Sequence, residues 1–404
     1  MGRRRQLELP FVAYFDREDL RFDAHVIQKV RASIEQERDA ETRACRRNSE
    51  QLKDSLATSR KQLKTLNEAS ARDNSTMSAA RKGLHEEILV LEGKLRDKQQ
   101  ECERAIPVTF EVKLAKLDVL QRWPDRREEI AKQIDQDHVR QRTHGDIEDI
   151  GFRIIVDGQE GDIAAGEQAI RQMSAAGLMP LEVRYSTVRQ YVDRLASTIA
   201  GHSDLKVPLH VTVVDSPEIN VTAMPGGFVF LTSGAVRACE TEAELVGVLS
   251  QQIAHVAARH ATRHSKLSTV SKMFVPVSQV AAGLFTGGVG NAGAHYGMDL
   301  AIQGLGELTN RKFESSSEKS QVEADQLGIQ YAWNAGYDPM GLIAFLDSLA
   351  RRSDFSQTSK LLQTKPGLSV RVLDAFREIQ YLPERENYPD SSAEFYTVQT
   401  LLRP

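Results

Sequence analysis

The sequence is poor in cysteine, with three among 404 residues, and these three lie far apart. Cys45, Cys102 and Cys239 form no C-x-x-C pair, so the sequence predicts neither a disulfide framework nor a cysteine-based zinc site. An excess of charge of one sign is also missing, because the formal net charge is −4. This balance argues against a broad nucleic-acid-binding surface, and we expect no nucleic-acid partner.

Long apolar runs are scarce as well. The basic amino terminus is followed by the apolar residues 9–13, which are too few for a signal peptide and lead into Asp16 and Arg17. We therefore expect a cytoplasmic location, with a periplasmic or membrane-associated one as the alternative. Residues 273–294 have the length of a membrane span but are rich in Gly, Ser, Asn and Gln. A glycine-rich flap or loosely packed helix is favoured there over membrane contact.

The chain divides by composition into three predicted domains. Residues 1–105 form a charged helical or coiled-coil arm, 106–160 a small αβ connecting region, and 161–404 a globular domain. Apolar residues of the arm fit heptad positions in two different phases, first at Leu52, Leu56, Leu63 and Leu66, then at Leu84, Ile88, Leu91 and Leu95. Two helices folded back on each other, one interrupted coiled coil, or a solvated or partly disordered arm would each explain this. A homo-oligomer through the arm is a further expectation.

Local patterns indicate the elements after the arm. Alternating apolar residues predict strands at 107–112 and 150–156 in the connecting region, with helical material between them to about 141. The globular domain is predicted to be α+β and mostly helical, with a small sheet. Its predicted helices span 162–175, 186–200, 242 to about 264, 321–335 and 339–351, its strands 209–214 and 228–232, and its turn 224–227.

The helix predicted from residue 242 includes Gln251-Gln252-Ile253-Ala254-His255 after an apolar run. One His and one Glu in place of the two Gln would give H-E-x-x-H. In that motif two His at i and i+4 on one helix face bind Zn²⁺, and the Glu is the general base. Of these three functional residues, only the second His is present, as His255.

Several segments in order resemble the HtpX-like and CAAX prenyl protease-like zinc metallopeptidases, family forty-eight of the metallopeptidases. The similar segments cover residues 162 to about 385 and are Asp162–Glu167, Val213–Asn220, Met224–Phe228, Glu244–Leu249, His255–His260, Glu323–Gly328 and Ala335–Pro339. The resemblance implies a zincin-like metallopeptidase core behind the helical arm.

The resemblance also assigns roles to positions. It places the first zinc His at Gln251, the general-base Glu at Gln252 and the second zinc His at His255. The third ligand, a Glu in the family, corresponds to Gln321. Asp325 matches the Asp that orients the first zinc His, and Lys365 stands where the family has a catalytic-site His.

These substitutions weaken the chemistry that the family performs. Neutral amide oxygens at Gln251 and Gln321 are poor zinc ligands, and Gln252 cannot act as a general base. We therefore expect no cofactor. Zinc is expected only under the alternative that the site is active in an unorthodox way. Instead, we predict a buried hydrogen-bonded cluster of Gln251, Gln321, His255 and Asp325, which Lys365 could join.

Two further histidines are candidates for a rival metal site. His260 and His264 are four residues apart, but helical geometry turns His260 about 140° away from His255. A solvated basic helix end is the favoured interpretation, since His is stabilising near a helix C-terminus.

Three hypotheses follow for function. The first is a non-catalytic, polypeptide-binding or scaffold protein. The resemblance implies an edge strand that binds extended peptide, for which the candidate is Phe228, Val229, Phe230, Leu231 and Thr232. The second is an active zinc metalloendopeptidase with an unorthodox site. The third is a structural or assembly protein built on the helical arm.

Overall fold

The computed structural model describes residues 6–17, 22–68, 75–136, 147–175, 179, 181–217, 219–263, 310–351 and 367–403. Lys365, His264 and the glycine-rich residues 273–294 lie outside these ranges. The described chain forms two compact units, one from Phe22–Leu117 and the other from the rest. No helix in the described ranges is both long and apolar enough to cross a membrane.

The first unit is a helical hairpin. Helices α1 (Ala24–Glu68) and α2 (Ser75–Gln100) run in opposite directions. Midway along α1, Cys45 Sγ lies 3.7 Å from the carbonyl oxygen of Lys98 near the end of α2, whereas Ser59 later in α1 donates a hydrogen bond to Glu87 earlier in α2 (3.1 Å). A five-residue π-helical segment, Glu101–Ala105, follows α2. The hairpin is the first of the predicted alternatives for the arm.

The expectation that the cysteines are unpaired was wrong. Cys45 of α1 and Cys102 of the π-helical segment form a disulfide, with Cα atoms 5.6 Å apart although 57 residues separate them in sequence. An antiparallel hairpin brings together residues that are distant along the chain, which spacing rules do not detect. Cys239 is buried and free.

Both strands predicted in the connecting region were also wrong. Residues 107–112 lie in helix α3 (Ile106–Asp135), where Val108 and Phe110 are buried. A short alternating run fits a helix as well as a strand, and packing decides between them. Residues 150–156 form turns and bends. Asp204 holds this segment, because its carboxylate accepts hydrogen bonds from the backbone amide of Gly151 (2.9 Å) and from the side-chain Nε of Arg153 (2.8 Å).

The second unit confirms the predicted α+β class, mostly helical with a small sheet. Its helices after α3 are α4 (Gly161–Ala175), α5 (Ser186–Gly201), α6 (Ser233–Ala238), α7 (Glu242–Ala257), α8 (Asn310–Asn334), α9 (Gly341–Arg351), α10 (Leu368–Gln380) and α11 (Ala393–Leu401). Its strands are β1 (His210–Val214), β2 (Val221–Met224) and β3 (Phe228–Thr232).

The sheet has the strand order β1-β3-β2. β1 pairs with β3 in parallel, and β2 pairs with β3 antiparallel across the predicted turn at 224–227, which is a short 3-10 segment. Helix α4 covers one face, where Ala169 packs with Met224 and Phe230.

Helix α7 lies at the centre of the second unit. Its residues are buried, as its apolar run predicts, except for Ala243 and His255, which are partly buried. At its start the Thr241 hydroxyl accepts a hydrogen bond from the Glu244 amide (3.2 Å), while the Glu244 carboxylate accepts one from the Glu240 amide (2.8 Å). This arrangement satisfies amides that have no partner within the helix.

Candidate functional site

A cavity of about 360 Å³ opens between β2 and the carboxyl-terminal half of α7. Residues 221–225 form one wall, and Gln251, Gln252 and His255 of α7 lie on another. The rest of the wall combines apolar residues of α9 with charged and polar side chains that include Asp162, Arg259 and Arg371. The structure thus brings the residues of the Q-Q-I-A-H segment to one concave surface.

A close approach of two helices places Gln321 and Asp325 beside this segment. At Gly328 of α8 the backbone runs so near α7 that a Cβ atom would lie 2.9 Å from Gln251 Cα. Only glycine allows this distance without a shift of one helix. Asp325 and Gln321, about one and two turns earlier on α8, therefore lie close to Gln251.

The Asp325 carboxylate is the centre of a buried network. It accepts hydrogen bonds from Gln251 Nε2 (2.5 Å), Gln321 Nε2 (3.2 Å) and two nitrogens of Arg371 (2.7 and 3.0 Å). Gln252 Nε2 in turn donates to Gln251 Oε1 at 3.2 Å. Gln251, Gln321 and Asp325 are joined as the sequence predicted, but His255 is not part of this network.

Arg371 is the residue of the site that sequence reasoning missed. Its side chain is 4% exposed and that of Asp325 2%, so the two form a buried ion pair. The signal lay in α10, where Arg371 falls on the apolar stripe with Leu368, Val372 and Ala375. A basic residue on a buried helix face requires an acidic partner, although the sequence does not say which one.

A second network starts at His255. Its Nδ1 lies 2.9 Å from Nδ1 of His260, and His260 Nε2 lies 3.1 Å from Glu323 of α8. Arg263 pairs with the same carboxylate at 2.9 Å.

The prediction that His260 turns away from His255 was wrong, because α7 ends at Ala257. Arg259 has a φ of 54°, and the amides of Arg259 and His260 donate to the carbonyls of Val256 and His255. These are the two hydrogen bonds of a Schellman motif, which brings the residue after the left-handed position back over the last turn. The helical period therefore no longer applies at residue 260.

Comparison with known proteins agrees with this geometry. The model of peptidase family M48 matches residues 183–379, which contain β1 to β3, α7, α8 and Arg371. Residues 183–379 form a peptidase family M48 domain. The resemblance inferred from separate segments is confirmed.

The M48 domain has curated relatives in bacteria and mitochondria. The chain is 28% identical over 241 residues to the beta-barrel assembly-enhancing protease of Escherichia coli K12, covering 59% of this chain and 47% of that protein. It is 26% identical over 225 residues to the mitochondrial metalloendopeptidase OMA1 of Schizosaccharomyces pombe, covering 54% and 60%. The chain therefore spans about half the length of the curated relatives that it matches.

Ionisation in the M48 domain follows from burial and from these networks. Burial lowers the pKa of His255 to about 3, and the nearby His260 and Arg371 lower it further, so His255 is neutral at ordinary pH. Burial alone would raise the pKa of Glu323. The hydrogen bonds and positive charges of His260 and Arg263 outweigh it and bring that pKa to about 2.

The donor set of the M48 domain does not fit a zinc ion at the family's position. The amide nitrogens of Gln251 and Gln321 point to Asp325, whose carboxylate is also bound by Arg371. His255 is then a single nitrogen ligand. Within the described ranges, no three His, Cys, Asp or Glu side chains are grouped to hold a metal.

The prediction that residues 228–232 form an edge strand was wrong. β3 is the central strand, because the chain returns after the 224–227 turn between β1 and β2. The edge of β1 is partly paired with residues 181–183, through the Val183 amide and the Val213 carbonyl at 2.9 Å. The strand that borders the cavity is β2, which the local pattern had not indicated.

Proposed function

We propose that this M48 domain binds extended polypeptide without hydrolysing it. The observation that supports the proposal is the network around Asp325, where two amides and a guanidinium fully occupy the carboxylate. Replacing this arrangement with a metal would require breaking a buried ion pair and reversing two amides. Gln252 adds a second reason, since an amide has no basic site to take a proton from water.

The edge of β2 is the proposed binding surface. The Thr232 amide donates to the Asn220 carbonyl (3.1 Å), so the alternation of an antiparallel ladder directs the backbone groups of Asn220, Thr222 and Met224 toward β3. Those of Val221 and Ala223 then point away from the sheet, along the cavity wall. An added peptide strand can pair with them without any metal.

The class of polypeptide follows from this mode of binding. Strand addition selects segments that are able to extend, as unfolded β-forming chains do. The Escherichia coli relative is named for assembly of β-barrels. We infer that the partners are unfolded segments of such proteins, and that the helical hairpin offers a second surface for a protein partner.

The disulfide of the hairpin supports an oxidising compartment such as the periplasm. Disulfides persist in such compartments and are rare in the cytosol. The proposed location is therefore periplasmic or membrane-associated, which the sequence analysis gave as the alternative to the cytoplasm. Alkylation of the native chain without reductant, followed by mass spectrometry, should leave Cys45 and Cys102 unmodified.

An active zinc metalloendopeptidase is the second candidate function. Two observations favour it: the curated relatives are named as proteases, and His255 and His260 bring two imidazoles together at the cavity. In this case the metal would use ligands other than the family's.

Metal analysis of the purified protein separates the two candidates. We expect far less than one zinc per chain after incubation with Zn²⁺, and no chelator-sensitive cleavage of an unfolded substrate. The triple variant Gln251→His, Gln252→Glu, Gln321→Glu is the matched control, because it restores the residues of the family. One tightly held zinc per wild-type chain, lost on His255→Ala, would overturn the proposal.

A further inference from the structure

The outer side of helix α2 in the hairpin carries two large apolar side chains that face solvent. Leu89 and Val90 are 67% and 55% exposed, and they are the exposed large apolar side chains of the described hairpin. The apolar side chains on the opposite side of α2 are partly buried, and these are Leu84, Ile88, Leu91 and Leu95. A helix that packs on α1 through one apolar stripe does not need Leu and Val side by side on its other face. The pair therefore indicates a surface that another molecule covers.

Two glycines of α2 lie close to these side chains. Gly83 and Gly93 are inside the helix, where glycine is destabilising relative to alanine because its backbone loses more freedom. A Cβ atom at either position would meet nothing within 4 Å, so no contact within the described chain requires a glycine there. Two helices approach each other more closely where the side chains at the contact are small. Both positions therefore suit a helix that comes from another chain.

The helical period joins these positions into one stripe on the outer face of α2. Spacings of three and four residues place side chains on the same face of a helix. By this spacing the stripe consists of Gly83, Glu86, Val90, Gly93 and Asp97, and it is bordered by Lys82 and Leu89. Its charged residues are exposed and include both signs. The stripe therefore does not suit an anionic lipid surface, which attracts a cluster of positive charges.

The stripe is complementary in shape to a second, antiparallel copy of itself. The commonest homo-oligomer is a dimer with a two-fold axis, and an interface on that axis must match its own surface. With the axis between Leu89 and Val90, each of these two residues lies beside the same residue of the other copy. Glu86 then lies over Gly93 of the other copy, where no side chain obstructs it. The apolar side chains are thus covered on both sides of a close contact.

The same arrangement is complementary in charge. Lys82 and Asp97 are equally far from the axis in opposite directions, so Lys82 of each copy faces Asp97 of the other. Within one chain Lys82 lies 4.0 Å from Glu86, and both of these side chains are largely exposed. Lys82 and Asp97 can therefore form two ion pairs between chains. This self-complementarity favours a second copy over a different protein as the occupant. We propose that two copies of this chain pair antiparallel through the outer face of α2, around an axis between Leu89 and Val90.

Sedimentation velocity of the full, disulfide-bonded chain across a concentration series tests this proposal. We expect a reversible equilibrium between monomer and dimer. Val90→Lys places two like charges beside the axis and should raise the dissociation constant of the dimer at least about tenfold. Ala57→Lys is the matched control, because Ala57 is exposed on α1 and the same charge is added away from the stripe. A chain that is monomeric at every concentration overturns the inference, and so does a dimer that both variants affect equally.

Exchange of charges tests the antiparallel register. Lys82→Glu alone and Asp97→Lys alone each turn two attractive pairs into repulsive ones, and each should weaken the dimer about fivefold to tenfold at low ionic strength. An equimolar mixture of the two single variants should restore the dimer, because every pair between chains again joins opposite charges. The mixture is decisive, since it leaves each chain as it was and changes only the other copy. A mixture that dimerises no better than the separate variants overturns the inference.

Chemical cross-linking provides a measurement that does not depend on charge. The thiol introduced by Val90→Cys lies beside the axis, so a short bis-maleimide should join two chains through it. The native free cysteine, Cys239, is buried. Ala57→Cys is the matched control and should yield far less cross-linked dimer. Equal yields from the two variants contradict the proposed surface.

Discussion

At the scale of single residues, Asp325 shows how one buried carboxylate fixes the groups around it. It is surrounded by two amides and a guanidinium that all donate to it. Each of these side chains could adopt other orientations in isolation. Because burial makes an unpaired charge costly, the carboxylate selects the orientations that satisfy it. The character of the cavity wall follows from that selection.

Removal of Arg371 should be strongly destabilising. Arg371→Met leaves the Asp325 charge buried without a counter-charge, and we expect a loss of about 3–5 kcal/mol in the free energy of unfolding. Urea denaturation followed by circular dichroism measures it. The double variant Arg371→Met, Asp325→Asn removes both charges and should lose less than the sum of the single losses. Additive losses would show that the two side chains do not act as a pair.

At the scale of elements, the two ends of α7 position the site. The Thr241 and Glu244 caps begin the helix, and the Schellman motif ends it at Ala257 so that His260 meets His255. The apolar run and the helix start were predictable because they depend on local sequence. The helix end was not predictable, because the residue in the left-handed conformation is Arg259 and not the glycine that is usual there. Its conformation is stabilised by an ion pair with Asp162, which is distant in sequence.

The cap of α7 predicts a pH dependence. Burial raises the pKa of Glu244 to about 7, so its protonated form is favoured in the folded state. Its contribution to stability is complete below the unfolded pKa of about 4.5 and is lost as pH rises to about 7. Glu244→Gln should remove this loss. Relative to wild type, the variant should gain roughly 2–3 kcal/mol between these pH values.

Urea denaturation across this pH range measures the effect. Glu167→Gln is the matched control, because Glu167 is exposed on α4 and its carboxylate stays in water. A difference between Glu244→Gln and wild type that does not change with pH would falsify the assignment.

At the scale of the whole molecule, the chain combines an M48 domain with a disulfide-linked helical hairpin. The domain boundaries read from composition, the oligomer through the arm and the absence of a bound metal remain predictions. The hairpin is one of the three arrangements that the two heptad phases allowed, whereas its disulfide required the fold to place residues 57 positions apart side by side.

The disulfide should stabilise the hairpin. Cys45→Ser with Cys102→Ser should cost about 2–4 kcal/mol locally, because the unfolded arm gains freedom when the loop is opened. Hydrogen exchange of α1 measures this loss, with α10 of the M48 domain as internal reference. Reductant should have the same effect on the wild type and none on the double variant. Equal exchange in all samples would contradict a stabilising role.

The sequence by itself determined the family resemblance and the helical class, because periodicity and motif spacing are local properties. Which residues stand at the family's zinc and general-base positions remains a prediction from that resemblance. Tertiary structure decided which strand borders the cavity, that Arg371 neutralises Asp325, and that the His260 ring packs edge-on against the His255 ring. Each of these depends on contacts between residues that are distant along the chain or on where a helix stops.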